Sequence, residues 1–356
     1  MQKALTQLLS KSVTLQQTAA LSRLASLTPD NGRHALHLYW DDGYRASLPY
    51  VWLRDWAPSR RPQHLNELTL GVEPKACQLE NAGAQLRIDW PPWTSAFYSA
   101  DWLRRQSDTT QADGDGAATA GWRRVSPLTD DRWRTTTQVG RMDFEETFDR
   151  LRQIAVQLQV DGAVQLRQVP PGQLPTDVVR QLELGDGRVV AQYQYDLQQA
   201  VPMRTSAPFA DDIPRYSVLH VLEHAPNHGY LQLADGFLAA ERCRVATPRE
   251  FSFLVEHKIR YDEPTGKGGG AGHTVIDYRK GSINKIVFNN MLRTSELCSN
   301  VHLFYESLKS FNSECYRAVT DIHPETGDWL IVDNHRMLWG CTSFLHKCTV
   351  QETQFL

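Results

Sequence analysis

The chain has 356 residues and a formal net charge of −3, with 38 Lys and Arg against 41 Asp and Glu. This balance argues against a dedicated nucleic-acid-binding surface, which would be strongly basic. No apolar run approaches the roughly 18 to 20 residues that a membrane-spanning helix needs, and the length predicts two domains or one large domain with an appendage.

Residues 1–30 have the composition of a targeting leader. They contain Lys3, Lys11 and Arg23 among many Ser and Thr, and the first acidic residue is Asp30. An amphipathic segment of this kind is typical of a mitochondrial transit peptide, and the alternative is an ordinary amphipathic N-terminal helix. We therefore expect the protein to be mitochondrial.

Residues 31–106 predict a small β-rich N-terminal domain. Apolar runs flank a turn at Asp41-Asp42-Gly43, which is the pattern of a β-hairpin, and residues 84–105 predict a second hairpin. The segment that follows, 107–121, is small, polar and Gly-rich. Such a composition indicates a linker or surface insertion, which we extend over residues 107–140.

Residues 141–356 predict the larger domain. Apolar residues recur at helical spacing from Phe144 to Leu158, so residues 142–159 predict an amphipathic helix, and residues 302–319 predict another. Two β-rich segments far apart in the sequence organise the rest. The first, Met203–Phe237, opens with a polar cluster at 204–206, and the second, Asp328–Cys341, carries a bulky residue directly before a Gly.

Two segments with this layout lie side by side across the mouth of a cupin-type jelly roll. The predicted fold class is therefore α+β, mainly β with flanking helices. It combines a double-stranded β-helix, or jelly roll, over residues 141–356 with the small β-rich N-terminal domain.

The two segments resemble the γ-butyrobetaine dioxygenase and trimethyllysine dioxygenase family of Fe(II)/2-oxoglutarate oxygenases. In that family the first segment carries His-Thr-Asp followed by Pro, then Leu-His and Asp-Gly-Phe, and the second reads Asp-Asn-x-Arg-x-x-His-Gly. This sequence keeps the frame of both motifs as Thr205, Pro208, Leu219-His220, Asp235-Gly236-Phe237, Asp333-Asn334, Arg336 and Gly340.

The residues at the family's metal-ligand positions differ. The resemblance places Arg204 at the first His, Ser206 at the Asp and Trp339 at the distal His. Two His and one carboxylate hold Fe(II) in such enzymes and leave positions open for cosubstrate and oxygen. Arg only donates hydrogen bonds, and an indole has an N–H but no lone pair for a metal. We therefore expect no catalytic residues, no metal and no cofactor, with Trp339 filling the pocket.

The resemblance also implies an Arg downstream of the distal His that binds the far carboxylate of 2-oxoglutarate. The corresponding stretch, 346–354, contains no Arg, and Lys347, beside Cys348, is a weaker substitute. The chain also stops earlier than the family does. This shortening predicts a barrel edge that a partner must cover.

Other His residues do not restore a metal site. His220, His224 and His228 have a helical spacing, but residues 218–222 predict a buried strand and residues 225–229 a turn. His335 precedes Trp339 by four residues, which on a strand is about 13 Å at roughly 3.3 Å per residue.

Many family members also hold a structural zinc in the N-terminal domain, with clustered Cys and a His. This chain reads Trp56–Arg60 at the first place and Pro91–Trp93 at the second, without thiolate or imidazole. Zn²⁺ would have no ligands there, so the N-terminal domain is predicted to lack zinc.

The leading hypothesis is a catalytically inactive relative that acts as a structural or accessory subunit, a scaffold, in a larger mitochondrial complex. Its partners would be other protein subunits. One alternative is an active γ-butyrobetaine or trimethyllysine hydroxylase of carnitine biosynthesis. The other is a sensor that binds a carboxylate through Arg204 and Lys347 in the old pocket.

Overall fold

A computed structural model describes residues 22–57, 65–109, 136–145, 147–184, 187–224, 229–264 and 270–356. The chain divides into two compact units, one of residues 1–61 and 71–115 and the other of residues 62–70 and 116–356. In the described ranges no helix is long and apolar enough to cross a bilayer. Residues 1–21 of the predicted leader lie outside these ranges.

The described residues of the first unit form two three-stranded antiparallel sheets, β1-β2-β3 and β4-β5-β6, and two α-helices. The elements are β1 (Leu24–Asp30), β2 (Ala35–Trp40), β3 (Arg45–Pro49), α1 (Tyr50–Asp55), β4 (Ala76–Glu80), β5 (Gln85–Trp90), β6 (Thr94–Ser99) and α2 (Ala100–Thr109). Leu86, Ile88 and Trp90 alternate along β5 and are fully buried, as a half-buried strand requires.

The predicted leader boundary at residue 30 is wrong. Residues Leu24 to Asp30 form β1, which pairs with β2 from Leu24 opposite Trp40 to Asp30 opposite Ala35. The hydrogen bonds of this antiparallel hairpin override the local helical pattern of the sequence.

The second unit alternates helices with strands. Its elements are β7 (Gly140–Asp143), α3 (Phe148–Asp161), β8 (Ala163–Arg167), α4 (Pro175–Gln181), β9 (Val189–Leu197), β10 (Val201–Arg204), β11 (Tyr216–Glu223), β12 (Leu231–Asp235), α5 (Gly236–Ala246), α6 (Pro248–Glu256), β13 (Lys258–Arg260), β14 (Gly272–Thr274), β15 (Ile276–Arg279), β16 (Ser282–Ile286), α7 (Val301–Arg317), β17 (Thr320–Ile322), β18 (Trp329–Asp333), β19 (Met337–Cys341) and β20 (Cys348–Phe355).

A six-stranded sheet, β7-β8-β18-β11-β20-β9, and a four-stranded sheet, β10-β19-β12-β17, enclose the main core. Leu219 of β11 packs with Leu233 and Trp339 of the smaller sheet. Its neighbour Val218 packs on the other face with Ile154 of α3, because successive side chains of a strand point to opposite faces. Two strand layers with helices outside are compatible with the predicted jelly roll.

Two further boundaries differ from the sequence prediction. The helix predicted from residue 142 begins at Phe148, because residues 140–143 pair with β8 and the Thr147 side chain caps the helix start. Residues 62–70, predicted in the N-terminal domain, belong to the second unit. Lys309 Nζ donates to the main-chain oxygens of Leu65 at 2.9 Å and Leu68 at 2.5 Å.

The Asp-Gly-Phe motif and Arg336 are structural. The Asp235 carboxylate accepts from the main-chain N–H groups of Phe237 and Leu238 and so caps α5. Arg336 binds the other carboxylate oxygen through Nε at 3.1 Å and an Nη at 2.5 Å. This charge-assisted fork ties the β18–β19 turn to the start of α5.

Gly340 is needed for close strand packing. A Cβ on this residue would lie 2.4 Å from the carbonyl oxygen of Val201 on β10. Because the contact is with main chain, a neighbouring side chain cannot relieve it by changing rotamer.

We predict that Gly340→Ala lowers the free energy of unfolding by about 1–3 kcal/mol, the usual cost of overpacking. Gly272→Ala is the matched control, because its Cβ would meet its nearest neighbour at an ordinary 3.5 Å. Urea denaturation of both variants measures the difference. Equal stabilities would show that β10 and β19 can move apart at no cost to make room for the added methyl group.

Candidate functional site

The site lies at the C-terminal end of β10, beside β19. Arg204 at the end of β10 is opposite Trp339 of β19 in the strand register. Thr205 then fixes the chain direction, because its N–H donates to Phe288 O at 2.7 Å and its hydroxyl donates to Ile286 O at 3.2 Å. The next residue, Ser206, is thereby held inside the barrel and is 5% exposed.

Asn334, in the turn between β18 and β19, holds the main chain of Ser206 on both sides. Its side-chain oxygen accepts from Ser206 N at 2.8 Å, and its amide nitrogen donates to Ser206 O at 3.1 Å and Pro214 O at 2.8 Å. Asn334 of the Asp-Asn motif therefore fixes the main chain at Ser206.

Four buried or half-buried side chains then form one hydrogen-bonded chain. Trp339 Nε1 donates to Ser206 Oγ at 2.8 Å, and Ser206 Oγ donates to Glu352 Oε1 at 2.5 Å. The hydroxyl of Tyr195 donates to Glu352 Oε2 at 2.9 Å. Both Trp339 and Glu352 are almost fully buried, with 1% and 0% exposure. We call these four residues the Trp–Ser–Glu–Tyr relay.

Arg204 lies against aromatic faces. Its guanidinium carbon is 3.8 Å from the ring centroid of Trp339 and 5.5 Å from that of Tyr195. The two rings meet edge to face at 5.6 Å, which is a favourable aromatic geometry. Cation–π attraction therefore holds the half-buried Arg204 in place, while one of its terminal nitrogens is buried without a hydrogen-bond partner.

Burial and the adjacent Glu352 carboxylate raise the pKa of Tyr195, while Arg204 partly offsets the shift. A higher pKa keeps this phenol protonated at neutral pH, so that it donates to Glu352. Tyr195 is therefore the donor in its hydrogen bond with Glu352 at physiological pH.

The structure brings together Arg204, Ser206 and Trp339, as the motif spacing predicts, but it does not bring Lys347 to them. Lys347 is exposed and lies 3.2 Å from Asp196 Oδ1 on the barrel surface. The prediction that Lys347 substitutes for a carboxylate clamp is therefore wrong. Lys347 directly precedes the first residue of β20 and therefore lies outside that strand.

The two cysteines near the site are weak nucleophiles. Cys348 and Cys341 are both buried. Burial raises the pKa of Cys348 to about 12 and also raises that of Cys341. Because the thiolate is the nucleophilic form, this burial lowers the nucleophilic reactivity of both thiols at neutral pH.

Sequence reasoning missed Glu352 and Tyr195. Glu352 lies in the stretch 346–354 where the resemblance implies an Arg, so a carboxylate stands in a segment expected to carry a cation. One signal was present, because Glu352 shares the face of β20 with Val350 and Cys348 at a spacing of two residues. A carboxylate on an apolar strand face indicates a buried polar contact.

The other candidate His residues lie apart from the relay. His220 packs beside Trp329 at 5.5 Å, and burial lowers its pKa. His335 is not on a strand as assumed but in the turn between β18 and β19, where Nε2 contacts Ile213 O at 2.9 Å. His228 lies outside the described residues, as do residues 58–60 of the segment compared with the zinc site.

An Fe(II) ion does not fit the donor set of this site. Glu352 supplies its one carboxylate, and both oxygens already accept hydrogen bonds from Ser206 and Tyr195. Trp339 contributes a donor where a metal requires a lone pair, and Arg204 contributes a positive charge. Among the described residues, no group of three or more His, Cys, Asp or Glu side chains is arranged to hold a metal.

Comparison with known proteins gives a consistent set of relatives. The family model "Taurine catabolism dioxygenase TauD, TfdA family" matches residues 138–350, more than half of the chain. Among curated proteins, γ-butyrobetaine dioxygenase of Homo sapiens is 23% identical over 348 residues, which cover 88% of each chain. The protein of the same name from Pongo abelii is 23% identical over the same length.

Solved structures similar to this chain include an asparagine oxygenase in complex with Fe(II), 2S,3S-3-hydroxyasparagine and succinate. It is 13% identical, with a TM-score of 0.46, and the match covers 61% of this chain and 93% of the other. A taurine dioxygenase from Burkholderia xenovorans is 14% identical with a TM-score of 0.44, over 60% of this chain and 83% of the other.

We predict that Ser206→Ala lowers the free energy of unfolding by about 1–3 kcal/mol, because it leaves the Trp339 N–H and one Glu352 oxygen buried without a partner. Ser217→Ala is the matched control. Ser217 is equally buried, but its hydroxyl has no hydrogen-bond partner, so its removal is expected to be neutral or stabilising.

Urea denaturation of the two variants measures this contrast. A Ser206→Ala variant that is as stable as Ser217→Ala would show that the relay contributes nothing to the fold.

Proposed function

The chain belongs to the TauD/TfdA dioxygenase family, and we propose that it is a member without iron-dependent oxygenation that serves as an accessory subunit of a mitochondrial complex. The observation that carries the proposal is the Trp–Ser–Glu–Tyr relay. It engages both oxygens of the one carboxylate that the site could offer to a metal.

Apart from Arg204, the charges around the site do not favour 2-oxoglutarate. Binding of this dicarboxylate requires a fixed positive charge, best supplied by a bidentate Arg. The stretch 346–354 contributes the buried carboxylate of Glu352 instead, and Lys347 is paired with Asp196 outside the barrel. The same two facts count against the carboxylate-sensor alternative, since one of its two cations is absent from the pocket.

The motifs that the chain retains support the proposed subunit role. The motifs that survive, including Asp235, Arg336, Asn334 and Gly340, all have packing or hydrogen-bonding roles in the barrel. A fold can keep such roles after its chemistry is gone, because function belongs to sites rather than folds. The basic, acid-free leader composition supports the mitochondrion as the location of the complex.

We predict that the pure protein neither forms succinate from 2-oxoglutarate nor binds Fe(II) or Mn(II) stoichiometrically under anaerobic conditions. The triple variant Arg204→His, Ser206→Asp, Trp339→His supplies a two-His-one-carboxylate set at these positions. It is expected to bind Mn(II) at least about tenfold more tightly than the wild type, in titrations followed by electron paramagnetic resonance.

Arg204→His alone is the control for the triple variant, since it adds one ligand and leaves Trp339 in place. Circular dichroism reports whether each variant is folded. One Fe(II) per wild-type chain with succinate formation would refute the loss of oxygenase chemistry.

The subunit role makes a separate prediction. In native electrophoresis of fractionated cells, the protein is expected in the mitochondrial fraction and in an assembly much larger than two 40.5 kDa chains. Deleting the protein is expected to reduce the amount of that assembly. A protein that migrates only as free chains or dimers, or outside mitochondria, would contradict this role.

A further inference from the structure

Two cross-strand neighbours inside the barrel carry buried polar atoms without partners. Ser217 of β11 lies directly opposite Gln354 of β20 in the strand register. Ser217 is 0% exposed and Gln354 is 1% exposed. Among the residues that the structure describes, neither the Ser217 hydroxyl nor Gln354 Oε1 has a hydrogen-bond partner. Buried polar groups of this kind are rare in native proteins, so two of them side by side indicate a bound molecule.

Both side chains point into the barrel. Residues two or four apart on a strand share a face of the sheet. Ser217 shares its face with Leu219, which packs in the core between the two sheets. Gln354 shares its face with Val350, which packs in the same core. Directly opposite side chains of an antiparallel pair have Cβ atoms about 4.5–5.5 Å apart. The two polar atoms therefore belong to one position on the inner wall of the barrel.

The residues beside the pair have short side chains on both sides. Val332 of β18 lies opposite Ser217, and Ala191 of β9 lies opposite Gln354. Ala191 is half-buried, as is Tyr193, the next residue of β9 on this face. Both keep part of their surface in solvent, which gives a ligand a route to the pair along β9. The Tyr193 ring offers an apolar surface beside this route.

The hydrogen-bonding capacity of the pair selects a neutral ligand group. Gln354 Oε1 is an acceptor, and the fully buried Glu352 carboxylate is two residues away on the same face of β20, so an anion would be repelled. An ammonium or guanidinium group has donors alone, so the proton of the Ser217 hydroxyl would gain no acceptor from it. Both polar atoms are satisfied by an uncharged group that donates one hydrogen bond and accepts another.

A primary carboxamide is such a group, because its N–H donates and its C=O accepts. An alcohol hydroxyl has the same hydrogen-bonding capacity as water, and water competes for buried polar positions. We propose that Ser217 and Gln354 bind the primary carboxamide of a small neutral ligand. The Ser217 hydroxyl donates to the amide oxygen, and Gln354 Oε1 accepts from the amide nitrogen. This binding requires neither iron nor a partner subunit, so it does not rest on the proposed function.

NMR titration of the full chain with propionamide, observed on the ligand, tests the site. The wild type is expected to bind propionamide saturably. Two analogues are expected to bind at least about tenfold more weakly, because they leave the polar groups of the site unpaired or bring a charge to it. They are butanone, in which a methyl group replaces the amide nitrogen, and propionate. Neither iron nor 2-oxoglutarate is added, so a negative result here leaves the proposed function untouched.

Variants of two serines locate the binding. Ser217→Ala removes the donor to the amide oxygen and is expected to raise the dissociation constant for propionamide about three- to tenfold, as the loss of one hydrogen bond does. Ser307→Ala is the matched control and is expected to leave the constant unchanged. Ser307 lies in α7, is also 0% exposed, and has a hydroxyl without a hydrogen-bond partner in the described ranges. Thermal unfolding confirms that both variants are folded.

A crystal structure with propionamide provides the direct view. The amide group is expected between the Ser217 hydroxyl and Gln354 Oε1. An ordered water alone at this position, no saturable binding of propionamide, equal affinity for butanone, or a Ser217→Ala variant that binds as tightly as Ser307→Ala would each overturn the proposal.

Discussion

The hydrogen bond from the indole of Trp339 to the hydroxyl of Ser206 is the contact on which the site depends. A serine hydroxyl has one proton to donate, and here that proton goes to Glu352. The indole therefore determines the direction of the relay. Without the indole, the buried Ser206 hydroxyl would donate to Glu352 but accept no hydrogen bond from Trp339. A buried network in which some groups lack partners is costly.

The positive charge of Arg204 completes this arrangement without a direct ion pair. It lies on the faces of Trp339 and Tyr195, and these two rings belong to the residues at the ends of the relay. The aromatic residues thus link the cation to the carboxylate side of the cluster. One group of contacts accounts for burial, charge and hydrogen bonding at the position where the family's metal chemistry would occur.

The sequence motifs predicted the meeting of Arg204, Ser206 and Trp339, because motif spacing on two paired strands determines which residues face each other. They did not predict Glu352 and Tyr195, which reach the cluster from β20 and β9. Hydrogen bonds between residues so distant in sequence leave no local pattern. The error at Lys347 has a similar cause, since the residue at which a strand enters the barrel depends on its register with a neighbour.

In the fold, as in the site, local sequence patterns were good predictors, whereas contacts between separate strands were not predicted. Strong periodicity located α7 to within two residues of each predicted end. The start of α3 and the strand β1 were mistaken because β8 and β2 supply partners that local sequence does not reveal. The family motifs, in contrast, coincide with specific contacts, such as the Asp235–Arg336 fork and the main-chain contacts of Asn334 and Gly340.

The most direct test of this account is anomalous diffraction at the iron absorption edge, from crystals grown anaerobically with excess Fe(II) and 2-oxoglutarate. We expect no anomalous peak inside the barrel, and Trp339 Nε1 within hydrogen-bonding distance of Ser206 Oγ. An iron peak bound to Glu352, with the indole displaced from Ser206, would contradict the account.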